Sequence, residues 1–512
     1  MTRWFRSVNR DQGCLLPADM RSWLPPGHLA WQVMEVAGEL DLSRFAAAYR
    51  ADGQGQAPYD PAMMVALLAY CFLKGTRSSR KIAAACVDDV GCLVICGGAR
   101  PSHQAVAAFI RRHRAEVRRL FVQVLTLLAA EGAVAGHIAA VDGSPVSGNA
   151  SRFANVTGDQ LAAQVAAAEA EIDAEAGAWL DGAAAGEQQP LWHGGGDDRD
   201  DPPGDGGPGG GAVPGRLTAK LARLRAAQRV LAGREAASGP GTQLAAARAS
   251  VANMERRLGG AVAEQDAKAQ ARRAALAAGQ SRRGPAPLPP EKSGRVARAR
   301  RRLARAQARL AAREQDAAAP VKVSATDPGS RLLPAKNGGY LQGWNLQLTA
   351  ARRQILLSVG LHDNSTDAGA LIAMIEAAIA SCDLAGLAGQ IRAWLADNGY
   401  ASAANFKALE HLVLLVAVSK EAAQTGRDTA AAAVPAGWQK MAARLATPAG
   451  KSLYKRRAAL VEPAFAQFFA RFGRYLNYRG HDAAEAEVHL LGAVHNLAKL
   501  LSHRRRQLAA IT

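Results

Sequence analysis

Three carboxylates close apolar runs in this chain: Asp142 in HIAAVDGSPVSGNAS, Asp397 in IRAWLADNGY and Glu462 in YKRRAALVEPAFAQFF. Two buried strands that each end in an aspartate, with a helix bearing a glutamate, can bring three hard oxygen ligands to one point. That donor set suits Mg²⁺ or Mn²⁺ and the metal-dependent transfer of a phosphoryl group. The acids stand far apart in the chain, so a fold and not a local motif has to gather them. Each has a plainer reading as well. Asp142 could be a turn aspartate before Gly143, Asp397 the same before Asn398-Gly399, and Glu462 an exposed helical residue beside Pro463.

The elements that would position these acids follow from apolar spacing. Ala139 to Val141 reads as a short buried strand ending at Asp142, and Ile391 to Leu395 leads towards Asp397. LVLLVAVS at 412–419 is another buried strand, Leu371 to Ala380 a helix, and helices dominate beyond 419. TDPGSRLLPAKNGGYLQGWNLQLTA with RRQILLSVGLHD alternates like two antiparallel strands joined by a turn. Residues 1–135, in contrast, read as all-helical. Asp60-Pro61 opens a helix through Phe72 that Gly75 closes. Ser78-Ser79 caps a second, Arg80 to Cys86, and a third is expected from Pro101-Ser102 to Gly132. Arg80, Lys81, Arg111, Arg112, Arg114, Arg118 and Arg119 crowd these helices. Helices joined by a tight turn beside an arginine-rich face suggest a helix-turn-helix-like DNA-binding unit. A helical bundle with a solvated basic face is the alternative.

The charge balance points the same way. The 512 residues carry 63 Lys+Arg against 44 Asp+Glu, a formal net charge of +19, which calls for a polyanion partner and most often nucleic acid. The six cysteines (Cys14, Cys71, Cys86, Cys92, Cys96, Cys382) form no CxxC pair. They read as buried thiols of a reducing compartment, not as a disulfide framework or zinc site. Met1-Thr2-Arg3 leads into a polar start without an apolar signal core, and no run of about 18 uncharged apolar residues suggests a membrane span. A cytoplasmic location is therefore expected.

Residues 155–320 differ in character, being rich in Ala, Arg and Gly with few aromatics. HGGGDDRDDPPGDGGPGGG (193–211) and QSRRGPAPLPPEKSG (280–294) have the composition of flexible linkers. Around them lie heptad-spaced stretches: Leu217/Leu224/Leu231 with Leu221, Leu244/Val251/Leu258 with Met254, and Val296/Leu303/Leu310. They suggest a coiled-coil or helical-hairpin insertion, open to packing within the chain or between two copies. Arg298, Arg300, Arg301, Arg302, Arg305 and Arg309 make the last of them strongly basic. The expected plan is α/β: a helical domain (1–135), a mixed sheet begun at 136–154, the insertion (155–320), and the rest of the sheet with its helices (321–512).

Taken in order, several segments resemble the DDE transposases of bacterial insertion sequences, in the branch with a helical N-terminal domain and a split RNase H-like core. They are PYDPAMMVALLAYCFLKGTRSSRKIAAAC, GGARPSHQAVAAFIRRHR, VDGSPVSGNAS, TDPGSRLLPAKNGGYLQGWNLQ, LADNGYASAANF and the stretch from Tyr454 to YLNYRGHDAAEAEVHLLGAVHNLAKL. The resemblance implies that Asp142, Asp397 and Glu462 are the catalytic, metal-holding triad. It implies that Tyr454 and Arg457 position DNA, and that the chain cuts and joins transposon ends and target DNA; the coiled-coil insertion suggests a homo-oligomer that holds two DNA ends together. Two departures stand out. Phe469 occupies the place of a usual lysine, and Pro145 that of a usual basic residue; Arg471 or Arg474 could supply the missing phosphate contact. His495-Asn496 matches the family's terminal helix and reads as structural. A catalytically inactive DNA-binding derivative and a host nuclease of the same fold are the rival readings.

Overall fold

The computed structural model describes residues 19–49, 57–184, 215–237, 241–279, 285–318, 320–335, 338–363, 367–418 and 436–511. The expected linker at 193–211, Cys14 and the N-terminal segment lie outside them, as do the first residues of the 280–294 stretch. The chain divides into two compact units, one made of residues 1–154 and 329–512, the other of 155–328.

Among its described residues, the first unit has seven α-helices before the sheet: α1 (Leu29–Glu39), α2 (Ser43–Ala47), α3 (Pro61–Leu73), α4 (Ser79–Asp88), α5 (Val90–Ile95), α6 (His103–Arg112) and α7 (Arg114–Ala130). Their ends follow local chemistry. The Asp60 side chain accepts from Ala62 N at the start of α3, and Ser102 accepts from Ala105 N at the start of α6. Gly75 takes the left-handed conformation (φ 80°) after α3, a position where a Cβ would be strained. The single helix expected from 101 to 132 is instead two. His113 leaves helical geometry (φ −106°, ψ 31°), is fully buried against Phe45 and Phe109, and hydrogen-bonds the Tyr49 hydroxyl at 3.0 Å. No glycine or proline marks this break, so the apolar period runs through it unaltered.

β1 (Ile138–Ser147) follows and carries Asp142 in its middle, not at its end. Its first half is apolar and buried between neighbours on both sides. Its second half pairs on one side only, and its free edge meets the segment at 474–476 through Ser147 N to Arg474 O (3.0 Å) and Leu476 N to Ser147 O (2.7 Å). Alternation then turns the backbone of Pro145 towards that free edge, where its missing N–H costs no ladder bond.

The second unit lies between β2 (Asn155–Val156) and β3 (Val323–Ser324), which pair antiparallel. Between them run α8 (Gly158–Ala184), α9 (Gly215–Ala237), α10 (Gly241–Ala277) and α11 (Gly294–Ala318). The heptad leucines Leu224 and Leu231 pack on Leu161, Val165 and Ala168 of α8, with Val323 closing the same small core. Cross-links Arg248–Glu314 (3.2 Å) and Arg295–Glu264 (2.8 Å) make α10 and α11 an antiparallel hairpin. Both pairs of helices thus pack within the chain. The arginines of α11 remain exposed.

The first unit resumes with β4 (Arg331–Pro334), β5 (Tyr340–Ala350) and β6 (Leu356–His362), three strands where two were expected. α12 (Leu371–Leu384), β7 (Ala393–Ala396), α13 (Ala403–Ala408) and β8 (Leu414–Val416) complete the sheet region. The order is β4-β5-β1-β7-β8, and β6 shares with β4 the far edge of β5. β1 is antiparallel to β5 and parallel to β7, and β7 is parallel to β8. Full burial of β7 and β8 matches their unbroken apolar runs. α14 (Ala436–Ala446), α15 (Pro448–Tyr454), α16 (Arg457–Phe472) and α17 (His481–Ile511) end the described chain. α17 lies so close to α7 and β6 that a Cβ at Gly492 would press on Phe121 and Val359, 3.0 Å from each. The helices before β1 and the sheet therefore share one hydrophobic core. Among the described residues, no helix is long and apolar enough to cross a membrane.

Candidate active site

Parallel pairing of β1 with β7 brings the two aspartates together. Ala140 stands opposite Leu395, so the same register carried two residues on sets Asp142 beside Asp397, just past the end of β7. Each aspartate is anchored by a backbone N–H: Gly143 N donates to Asp142 (3.0 Å) and Gly399 N to Asp397 (2.8 Å). Arg457, in the first turn of α16, reaches Asp142 at 3.3 Å. Burial pushes the Asp142 carboxyl above its ordinary range; the Arg457 charge opposes that shift and the Asp397 charge adds to it. Burial also weighs against the Arg457 cation, but the charges of Asp142 and Asp397 outweigh it and hold the proton more firmly. Tyr454, the last residue of α15, donates its hydroxyl to the carbonyl of Ala396, directly before Asp397 (3.3 Å).

Glu462 is not part of this cluster. It is exposed on α16, five residues beyond Arg457 and so about 7.5 Å further along the helix axis. Among the described residues, no group of three His, Cys, Asp or Glu side chains is gathered closely enough to hold a metal ion. Pro463 lies within the same helix, beside Glu462, and removes one backbone donor there.

A further carboxylate, overlooked in the sequence, supports the pair from below. Asp367 accepts from Asn345 Nδ2 (2.7 Å) and Gln347 Nε2 (3.0 Å), and Gln347 Oε1 accepts the buried hydroxyl of Tyr400. A Cβ would come within 2.4 Å of this carboxylate at Gly143 and within 3.0 Å of it at Gly399, so the backbone beside both aspartates passes close over it. Burial, with the charges of Asp367, Asp142 and Asp397, holds the Tyr400 phenol well above its usual range, so it stays a donor. One signal was available. Asn345 and Gln347 alternate with Trp344, Leu346 and Leu348 in a buried strand, and two buried amides in such a place need partners.

Phe469, where a lysine was expected, is a core residue stacked against Phe465 and edge-on to Phe468. Arg474 lies over its ring (3.9 Å) and donates to Ser144 Oγ (3.1 Å), two residues beyond Asp142 on the same strand face. Arg471 is half-buried, and burial alone disfavours its charge. Of the basic N-terminal residues, Arg80 and Lys81 are exposed on α4, and Arg112 stacks over the Tyr49 ring (5.0 Å). Arg114 pairs with Asp482 at the start of α17 (3.2 Å), as Arg118 does, and Arg111 is partly buried. Arg77 and Glu487 form a buried ion pair (3.6 Å), and Glu487 also accepts from the backbone of Asn477 (2.8 Å) and Tyr478 (3.2 Å). His495 and Asn496 are fully buried and bind the backbone of the turn between β5 and β6. The five cysteines among the described residues are buried and free.

Two families match parts of the chain. Residues 18–112 match the Transposase domain (DUF772), and residues 423–501 match the Transposase DDE domain. The second match spans Tyr454, Arg457 and Glu462; Asp142 and Asp397 lie outside both. No curated protein and no solved structure gives a significant match. With one transposase domain over the N-terminal helices and another over the helices that bear Arg457 and Glu462, these matches support the chain as a DDE transposase of an insertion sequence.

Proposed function

We propose that this transposase binds the terminal inverted repeats of an insertion sequence and catalyses metal-dependent DNA cleavage and strand transfer. Its mixed sheet is read as an RNase H-like core split after its first strand by the insertion at 155–320. The observation that carries the reading is the juxtaposition of Asp142 and Asp397 on adjacent parallel strands, with Arg457 against the first. Two hard carboxylates side by side, one of them resisting ionisation, form a pair whose repulsion a divalent cation would relieve. When bound there, Mg²⁺ or Mn²⁺ would polarise the scissile phosphodiester and favour the attacking hydroxyl.

The chain's own residues set the stage for this. Tyr454 fixes the end of β7 and thereby Asp397, while Arg457 neutralises Asp142 and presents a guanidinium to DNA phosphate. Glu462, on the same helix as Arg457, is the residue that the family resemblance offers as the third ligand and would complete the set. Arg80, Lys81, Arg111, Arg112 and Arg114 of the N-terminal helices hold the duplex, and two copies act together on two DNA ends.

The test is cleavage of a duplex bearing the element's end, with Mg²⁺ or Mn²⁺. Asp142→Asn, Asp397→Asn and Glu462→Gln should each cut at background level while binding the duplex as the parent does. A parent protein that binds but never cuts, with the three variants indistinguishable from it, overturns the enzyme reading. That outcome would favour a non-catalytic DNA-binding derivative, a reading that the exposed Glu462 and the buried Phe469 support. Light scattering on the DNA complex that gives one copy per duplex pair would refute the oligomer.

A further inference from the structure

A second site, this one cationic, lies at the opposite end of the sheet from Asp397. The chain turns from β5 into β6 through Ala351–Ile355, and Arg353 and Gln354 both adopt left-handed backbone (φ 63° and 57°). Two consecutive non-glycine residues in that region are strained, and such strain persists only where the surroundings impose it. Here α17 imposes it. His495 Nε2 donates to Gln354 O (2.8 Å), and Asn496 bonds both the N–H and the carbonyl of Leu356 (2.9 Å each). Lys499 donates to Gln467 (2.5 Å) and Gln354 (3.4 Å) side chains.

The turn so held forms one wall of a pocket of about 610 Å³ whose lining includes Arg352, Arg353, Lys499, Ser502, His503 and Arg506. No carboxylate lines it, and among the described residues none pairs with Arg352, Arg353, Lys499 or Arg506. The acid nearest in the chain, Glu131, is taken by Arg504 (2.7 Å), and its carbonyl is bonded by His503 (3.1 Å). Burial, with Arg471 and Arg506 close by, pulls the Lys499 ammonium down to about 8. Uncompensated cations on an imposed backbone are costly to assemble without an anion to receive.

We propose that this pocket receives a phosphate group of the DNA backbone, a contact separate from the carboxylate pair. It rests on the transposase reading for the source of the phosphate; the cationic chemistry does not depend on it. The test uses the full chain and a fluorescent duplex of arbitrary sequence, titrated by anisotropy at several salt concentrations. Arg352→Ala/Arg353→Ala/Arg506→Ala is compared with Arg298→Ala/Arg301→Ala/Arg305→Ala on α11, which removes equal charge elsewhere. All six arginines are exposed, and unchanged melting temperatures establish that the variants fold. The pocket variant should bind about tenfold more weakly at low salt, with the slope of log K against log salt smaller by about one to two, and the α11 variant less affected.

Equal binding and equal slope for the parent and the pocket variant overturn the proposal and leave the transposase reading intact. Equal losses in the two variants mean that net charge alone is felt, which also overturns it. A parent that fails to bind duplex at any salt removes the transposase reading instead. The pocket is then judged with inorganic phosphate. Phosphate that raises the melting temperature of the parent but not of the pocket variant, without any effect of the variant on DNA, assigns the pocket to free phosphate and refutes the DNA contact.

Discussion

Arg77→Met should be among the most damaging single substitutions outside the carboxylate site. Arg77 and Glu487 are both buried, 2% and 0% exposed by side chain, and 3.6 Å apart. Glu487 also accepts three bonds from Asn477 and Tyr478, in the segment that runs on from Arg474, whose carbonyl holds Ser147 at the end of β1. Loss of one partner leaves a charge in the interior and costs about 3–5 kcal/mol. With roughly 340 residues in this unit, an unfolding entropy near 0.7 kcal/mol/K turns that loss into a fall of about 4–7 °C in melting temperature.

The pH dependence supplies a sharper criterion. Burial holds the Glu487 carboxyl above the usual glutamate range, with Arg77 the main opposing influence. A group whose folded pKa is raised lends its full stability below the unfolded value and loses it as pH rises through the folded value. Removing Arg77 raises that folded value further. The deficit of Arg77→Met should thus be largest near neutral pH and shrink as pH falls towards 5, and Arg77→Met/Glu487→Gln should recover most of it. Urea unfolding at pH 7.5 and 5 measures both. A variant with the parent's midpoint at pH 7.5, or a deficit that does not narrow in acid, would show the reasoning to be wrong.

Further outcomes are expected nearer the site. Mn²⁺ at a hundred times its dissociation constant should stabilise the parent by about 2.7 kcal/mol in thermal melts. Asp142→Asn and Asp397→Asn should show no such gain; an equal gain in either would place the ion elsewhere. Asp367→Ala leaves the Asn345 and Gln347 amides without their acceptor and should cost about 1–3 kcal/mol in urea unfolding, and no loss would mean the network is incidental. Phe469→Lys should destabilise by about 3 kcal/mol or more, because the ring is packed among Phe465 and Phe468; an unchanged melting temperature would show that the site tolerates an ammonium.

Features set by neighbours in the chain were legible in the sequence. The caps at Asp60 and Ser102, the stop at Gly75 and the buried run of β7 follow from short-range chemistry, and the structure has them where the residues suggest. The adjacency of Asp142 and Asp397 was expected from their apolar runs as well as from the family resemblance, and needed the β1–β7 register to become geometric. Features settled by distant partners were hidden. The break at His113 depends on Phe45 and Tyr49. The second half of β1, Gly-Ser-Pro-Val, is a poor strand on its own and exists because β5 pairs with it. Asp367 looks like any helix-leading aspartate until Asn345 and Gln347 are seen against it. Glu462 shows the converse case, since its motif is readable while its place on an exposed helix face depends on how α16 lies.

The short ladder of β2 and β3 has a consequence for the chain's history and its engineering. Asn155 and Ser324 stand opposite one another in an antiparallel pair, with Cα atoms about 5 Å apart. Everything between them departs and returns at one doorway. To the remainder of the polypeptide this stretch is a loop whose ends are already joined, so added or lost length alters closure entropy only slowly. Such a doorway lets an ancestral gene acquire, trim or exchange a whole helical module without disturbing the register of β1. The same doorway invites replacement of the module by a two-residue hairpin turn.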